Sequence, residues 1–285
     1  MDSSHFLCRF SRPASLVIFI IYASGSGASA QQAPASATID TDRINSSNNP
    51  LNPSLVVNLQ NYYIPALKGL PDLDTNVSIL RALTPFEVGG VGNLLRTSIP
   101  LVGRPEADGG MTQGIGDLTM FDILVMQTEP FGWGLGPLFV APTADDDRYG
   151  AGKWQAGGAA AFAAPQDWGL FGTLATYQHS FAGDEDRPTV NSATIQPFVF
   201  VNLEDGFYLQ STGAWSFDFE NHDYYTPVGL GLGKHWAIDE DFSINTYVEP
   251  QYSLFSSGDG NPRWQIFAGI NFQYSLAGVR RKMSD

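Results

Sequence analysis

Cysteine is nearly missing from this chain. Cys8 is the sole thiol among 285 residues, and it lies in an N-terminal stretch that reads as a removable leader. A disulfide framework and a Cys-ligated metal site are therefore excluded from the mature protein. Basic residues are scarce as well, with 15 Lys and Arg against 29 Asp and Glu. Without residues 1–30, which hold Asp2, Arg9 and Arg12, the formal charge goes from −14 to −15. Such a chain has no basic surface to neutralise phosphates, so nucleic-acid partners are excluded. Long apolar runs are absent too. The strongest, "SLVIFIIYA" (Ser15 to Ala23), is too short to span a bilayer as a helix. Preceded by Arg9 and Arg12 and followed by Ala28-Ser29-Ala30, it fits a secretory signal peptide cut after Ala30, a single-helix anchor being the lesser alternative. Only 15% of residues are charged, well below the Lys- and Glu-rich usage of soluble helical proteins.

What the chain does have is glycine and aromatic residues: 30 Gly, 19 Phe, 11 Tyr and 6 Trp. Residues 31–53 are polar and aperiodic, and predict a flexible leader. Beyond them no apolar 3.6-residue period persists long enough for a helix, whereas period-two segments bounded by Gly, Pro, Asn and Asp recur. In "WQIFAGINFQYSL" the side chains of Ile266, Ala268, Ile270, Phe272, Tyr274 and Leu276 alternate with Gln265, Gly269, Asn271, Gln273 and Ser275, with Phe267 the exception on the second face. About twelve such strands are predicted, starting near Ser54, Asp74, Gly92, Gly114, Phe131, Lys153, Trp168, Asn191, Phe207, Asp223, Asp241 and Trp264.

The connections alternate. Those after the second, fourth, sixth, eighth and tenth strands are short ("EVGG", "TEP", "APQD", "LEDG", "AIDE"), and most of the others are long and polar, "ENHD" being the exception. Strands that are longer than those of soluble sheets, an even strand count and this alternation predict an all-β fold: a closed antiparallel transmembrane β-barrel with up-and-down topology. Lipid demands that closure, since every backbone amide must be bonded internally. Trp133, Trp154, Trp168, Trp236 and Trp264 fall near strand ends, where aromatic girdles belong. The glycines of "GWGLG" and "GLGLG" take every second position and are expected on the inner face. The expected organisation is a signal peptide over 1–30, the leader over 31–53, the barrel over 54–278 and a basic tail over 279–285.

Charged residues within strands are the candidates for function. Arg81, Arg96, Asp117, Asp122 and Glu249 would cost too much on a lipid face and are expected in the lumen, either selecting solute charge or forming a structural ion pair such as Arg96 with Asp117. Arg96 opposes Leu95, Thr97, Ile99 and Leu101, which supports an inward position. Arg81 shares its face with Val77, Ile79 and Leu83, which calls for a bulge or another register. An acid-acid-acid-Arg tetrad occurs twice, as Asp145-Asp146-Asp147-Arg148 and Asp184-Glu185-Asp186-Arg187, both in long loops. These are read as equivalent solvated loop positions with local Arg pairing, in preference to cation-bridged contacts with lipopolysaccharide. Neither has the Asp-x-Asp-x-Asp-Gly spacing of a tight calcium loop. His179-Ser180 is poorly arranged for hydrolysis, because adjacent strand residues point to opposite faces. Catalytic residues, cofactors and metals are not expected.

Several stretches, "NLLRTSIPL", Gly114-Ile115-Gly116-Asp117, "GLGPLFVAPTADDDRYGAGKWQAGGAAA", "SFAGDEDRPTVNSATIQPFVFVNL" and "YTPVGLGLGK", resemble a bacterial outer-membrane β-barrel family related to the transporters of the MetA-pathway of phenol degradation. Some of its members carry the label neuromedin U. The resemblance spans roughly Pro50 to Leu276 and implies an outer-membrane location in a Gram-negative bacterium and a transport role, without catalytic residues to carry over. The chain departs from the barrel habit of ending on a strand-terminal aromatic, since "AGVRRKMSD" follows Leu276. The expected partners are outer-membrane lipid and lipopolysaccharide, the barrel-assembly machinery and a small solute. The leading expectation is a passive channel for small solutes, apolar or aromatic ones included. A structural or adhesive barrel with a plugged lumen comes second, and a soluble periplasmic β-sandwich ligand binder or an outer-membrane lipase lower.

Overall fold

The computed structural model describes residues 40–275 apart from 71–72, 107–109 and 129. The expected cleavage site, residues 31–39 of the leader and the C-terminal tail lie outside the described residues. Fifteen antiparallel segments form one sheet: β1 (Ser54–Leu67), β2 (Thr75–Val88), β3 (Val91–Pro105), β4 (Met111–Ile115), β5 (Leu118–Thr128), β6 (Phe131–Ala141), β7 (Lys153–Gln166), β8 (Gly169–Gly183), β9 (Asn191–Asn202), β10 (Phe207–Ser211), β11 (Trp215–Asp218), β12 (Asp223–Gly229), β13 (Gly231–Ala237), β14 (Phe242–Ser257) and β15 (Pro262–Ser275). The pairs β4/β5, β10/β11 and β12/β13 are interrupted staves, so the sheet is a twelve-stave up-and-down barrel. It closes where β1 pairs with β15 from Ser54 opposite Ser275 to Leu67 opposite Pro262. Every expected strand start lies within three residues of the observed one.

Turn chemistry sets the two ends apart. At the short-turn end, β2 and β3 are joined by Gly89 and Gly90, with φ of 60° and 82°. A type I′ hairpin turn, whose twist follows that of the strands, needs positive φ at both central positions, and glycine adopts it without steric cost. The opposite end carries the longer connections, among them residues 142–152 and 184–190.

The outward face is apolar along the middle of the staves, with Leu59, Leu80, Ile99, Leu135, Val199, Leu232 and Val248 among its exposed side chains. A belt this continuous is an unfavourable surface in water and a fitting one in hydrocarbon. Exposed aromatic residues frame it on both sides. Phe131, Trp133, Trp168 and Trp236 lie toward the short turns, and Trp154, Phe181, Phe255 and Trp264 toward the long loops.

The interior is filled from two sources. Wall residues Leu138, Ala163, Leu170, Phe200 and Tyr208 form a buried cluster. The chain before β1 supplies the rest, which corrects the expectation of a wholly flexible leader. Thr41–Asn48 form helix α1, N-capped by the Asp40 carboxylate, which accepts from the Arg43 amide at 3.2 Å. Ile44 and Leu51 enter the buried cluster. The polar residues of α1 bond the wall: Asn45 Nδ2 donates to the Gln166 carbonyl at 2.9 Å, Asn202 Nδ2 to Asn45 Oδ1 at 2.9 Å, and Gln273 Nε2 to the Ser47 carbonyl at 2.6 Å. Because the surrounding wall is rich in amides, a helix with almost no apolar period can still be buried.

Candidate functional site: the barrel lumen

Beyond the C-terminal end of α1 lies a cavity of about 210 Å³, lined by Asn49 and Pro50 and by wall residues from β1, β2, β3, β5, β8, β9, β10, β14 and β15. The wall mixes apolar side chains, such as Leu83, Leu94, Phe121, Leu174 and Phe198, with the amides of Asn58, Gln60, Gln196, Gln210 and Asn271. Two guanidiniums, those of Arg81 and Arg96, face into it.

Arg96 stands on β3 opposite Leu83 and Phe121, and its guanidinium lies over the Phe121 ring, 5.2 Å from the centroid. This is the inward position that the alternation implies. Arg81 stands on β2 opposite Asn58 and Ser98. It does share its face with Val77, Ile79 and Leu83, yet neither a bulge nor another register is involved: the β1–β2 ladder runs unbroken from Val56 to Ile64. The inner wall is itself apolar there, so apolar neighbours do not mark a lipid face. Arg81 donates from Nη1 to Gln60 Oε1, and its buried Nε has no protein acceptor. Among the described residues no carboxylate comes within ion-pair distance of either guanidinium.

Glu249 is also inward, fully buried on β14 opposite Phe267. Its oxygens are taken up by neutral donors: Gln210 Nε2 at 2.8 Å, the Thr212 amide at 2.9 Å, Thr212 Oγ1 at 2.6 Å and Gln251 Nε2 at 2.9 Å. Thr212 lies in the break between β10 and β11, so this carboxylate serves an amide that the sheet leaves over. Glycine makes the reach possible. A Cβ on Gly231 would stand 2.6 Å from the Glu249 Cβ, and one on Gly229 2.5 Å from its Oε1. The "GLGLG" glycines thus clear the inner face for a neighbouring side chain, as their spacing suggests.

Two of the candidate charges lie elsewhere. Asp122 pairs across the ladder with Leu95, while its neighbours Phe121 and Ile123 pair with Arg96 and Leu94. It therefore faces outward, which corrects the lumen placement. Asp117 sits in the two-residue break between β4 and β5, at the long-loop rim, and accepts from the amides of Ala144 at 3.2 Å and Ala151 at 2.7 Å. It anchors the 142–152 loop, and among the described residues no Arg96–Asp117 ion pair exists.

The tetrads meet at this rim without being equivalent. Arg148 pairs with Asp146 at 2.9 Å and with Glu106 at 3.1 Å. The hydrogen bonds from the Arg148 side chain and backbone amide, with its charge, hold the Asp146 carboxyl below its ordinary value. Arg187 instead crosses to the other loop. It donates to the carbonyls of Asp147 at 2.8 Å, Ala151 at 3.3 Å and Gly150. Asp145, Asp184, Glu185 and Asp186 belong to the same pair of loops, and Asp184 turns its own loop by accepting from the Asp186 amide. Among the described residues no cluster of three or more His, Cys, Asp or Glu is arranged to hold a metal ion. His179 and Ser180 do point to opposite faces. His179 is exposed on the outer face, and Ser180 Oγ accepts from the Val190 amide at 3.0 Å.

Several lining residues escape sequence reading. Gln60 donates to the Tyr247 hydroxyl at 2.8 Å, Asn58 bonds Asn271 across the closing seam, and Tyr62 stacks on Phe267 at 4.6 Å. The usable signal was the run of amides on the less apolar face of β1, β14 and β15.

No protein-family model matches the chain, and no curated protein matches it in sequence. Solved structures do match in fold. An outer-membrane channel from Pseudomonas putida F1 aligns with a TM-score of 0.57 at 14% identity, over 78% of this chain and 95% of the other. The NanC porin aligns over 78% and 100% at 10% identity with a TM-score of 0.46, and the KdgM porin over 78% and 99% at 11% identity with a TM-score of 0.42. At such identities the likeness is one of fold.

Proposed function

We propose that this barrel is an exported protein of a Gram-negative outer membrane that acts as a passive channel for small solutes, apolar and aromatic ones included. One observation carries the reading: a closed barrel with an apolar outer belt encloses a cavity whose wall combines charged, amide and apolar side chains. A barrel serving only as a stiff anchor has no use for two lumen guanidiniums that, among the described residues, have no carboxylate partners. The fold shared with the Pseudomonas putida channel supports the reading, and so do the motifs that resemble the MetA-pathway transporter family. Lipid and lipopolysaccharide around the belt, and the assembly machinery that would close the barrel, complete the proposed setting. Purified protein in liposomes tests it through swelling rates in small sugars and amino acids and through single-channel current. A barrel sealed to every solute would refute transport.

A second reading has its own observation, since α1 and Leu51 occupy the short-turn half of the lumen. On that reading the barrel is plugged and structural. A variant lacking residues 40–49 separates the two: a channel conducts more once the segment is removed, while a structural barrel packed shut by its wall stays sealed.

A further inference from the structure

We infer that the lumen cavity binds a small organic anion: a carboxylate or sulfonate carried on an apolar body about the size of one ring. This deepens the channel reading and rests on it for access, but the site is argued from its own chemistry. Two guanidiniums face one cavity. Like charges that share a space of low dielectric are costly, and folded proteins normally set carboxylates against them. Here the buried Glu249 carboxylate is saturated by four neutral donors, and among the described residues it forms no ion pair with either guanidinium. Arg81 has only neutral side-chain partners among the described residues, Gln60 and the Tyr62 hydroxyl, and its Nε has no acceptor among them. Arg96 has the face of Phe121. An anion placed between the two would receive charge-assisted hydrogen bonds, among the strongest that a protein offers a carboxylate. A cation there would meet two like charges.

The rest of the wall defines the body of the ligand. Leu83, Leu94, Phe121, Leu174, Phe198 and Phe267 present carbon to the same space. At about 210 Å³, the cavity is somewhat larger than the ~150 Å³ engineered cavity that accepts benzene. One ring and one anionic group fit that space. The acids of the 142–152 and 184–190 loops lie at the far rim, and at about 0.15 M salt their repulsion decays over ~8 Å.

Benzenesulfonate is the probe, because it stays ionised and crosses bare bilayers poorly. Equilibrium dialysis against the full chain in detergent compares it with trimethylphenylammonium and benzyl alcohol, and liposome flux is measured in parallel. The expected result is binding of benzenesulfonate at least about tenfold tighter than of the cation or the alcohol. The Arg81→Gln/Arg96→Gln double variant should lose that preference, and the Arg81→Lys/Arg96→Lys variant should keep most of it. Heat-modifiable gel mobility confirms that each variant is folded. Equal binding of all three probes, or an unchanged Gln variant, overturns the site. Binding without flux keeps the site and sinks the channel, whereas flux of sugars without anion binding does the reverse.

Discussion

Replacing Glu249 with leucine should destabilise the barrel strongly, although it removes a buried charge that has no cationic partner among the described residues. The carboxylate is the acceptor for four donors, two of them on Thr212. Leucine has nearly the same volume and leaves them all without it. A buried donor without an acceptor costs about 1–3 kcal/mol. The Gln210 and Gln251 amides can turn toward lumen water, but the Thr212 amide is fixed by the backbone in the gap between β10 and β11. Counting Thr212 in full and the glutamines lightly gives a loss of about 3–5 kcal/mol. Glu249→Gln keeps the shape and one acceptor oxygen while turning an NH₂ group toward donors, so a loss of about 1–2 kcal/mol is expected. Reversible urea or guanidinium unfolding in lipid vesicles, followed by the shift between folded and unfolded gel bands, measures both. A leucine variant within about 0.5 kcal/mol of the parent would show that water or strand rearrangement satisfies Thr212. The view of Glu249 as a clamp across the interrupted staves would then be wrong.

Other outcomes follow from the same geometry. Ile44→Asp puts a charge into the apolar cluster that seats α1; with about 1.5–3 kcal/mol of burial removed, the helix should undock and single-channel conductance rise, and an unchanged current would place α1 off the conducting path. Asp122→Leu replaces an outward carboxylate and should stabilise the barrel by about 1–2 kcal/mol in vesicle unfolding, and an unchanged unfolding free energy would place Asp122 outside the apolar belt. Arg187→Ala should speed protease cleavage within residues 142–152 while moving the unfolding free energy by less than about 0.5 kcal/mol. The Asp146 contact carries a pH signature. Because Arg148 lowers that carboxyl, the protection it gives is complete above the ordinary carboxylate range and is lost as pH falls through the lowered value. Pepsin cleavage of the loop should therefore rise only at the acid end of a series from about pH 5 to pH 2.

The staves were legible because turn residues and the two-residue period punctuate the chain independently. "EVGG" and "LEDG" mark hairpin turns whatever the strands pack against. Face assignment was harder where both faces are apolar. In β5, Phe121 and Ile123 point in while Met120 and Leu124 point out, so nothing local tells which side of the strand takes Asp122; the ladder with β3 decides it. The same ambiguity made Arg81 look misplaced. Helix α1 was missed for a different reason. Its sequence, "TDRINSSN", has one apolar residue, and what buries it is an amide-lined wall contributed by strands as distant as β14 and β15. Local propensity contains no trace of such a partner.

The seam between β1 and β15 has a consequence for how the molecule comes into being. The residues it joins, from Ser54–Ser275 to Leu67–Pro262, are almost the whole described chain apart. Adjacent hairpins can form as the chain emerges, but the contact that turns a sheet into a barrel waits for the last strand, and such long-range pairing is intrinsically slow. Until then both edges carry unpaired amides beside an oily outer face, the combination most prone to joining a second chain. Closure is thus a timing problem as much as a structural one, and a lesion in β15 should strand the protein as an open sheet that aggregates instead of yielding a slightly weaker barrel.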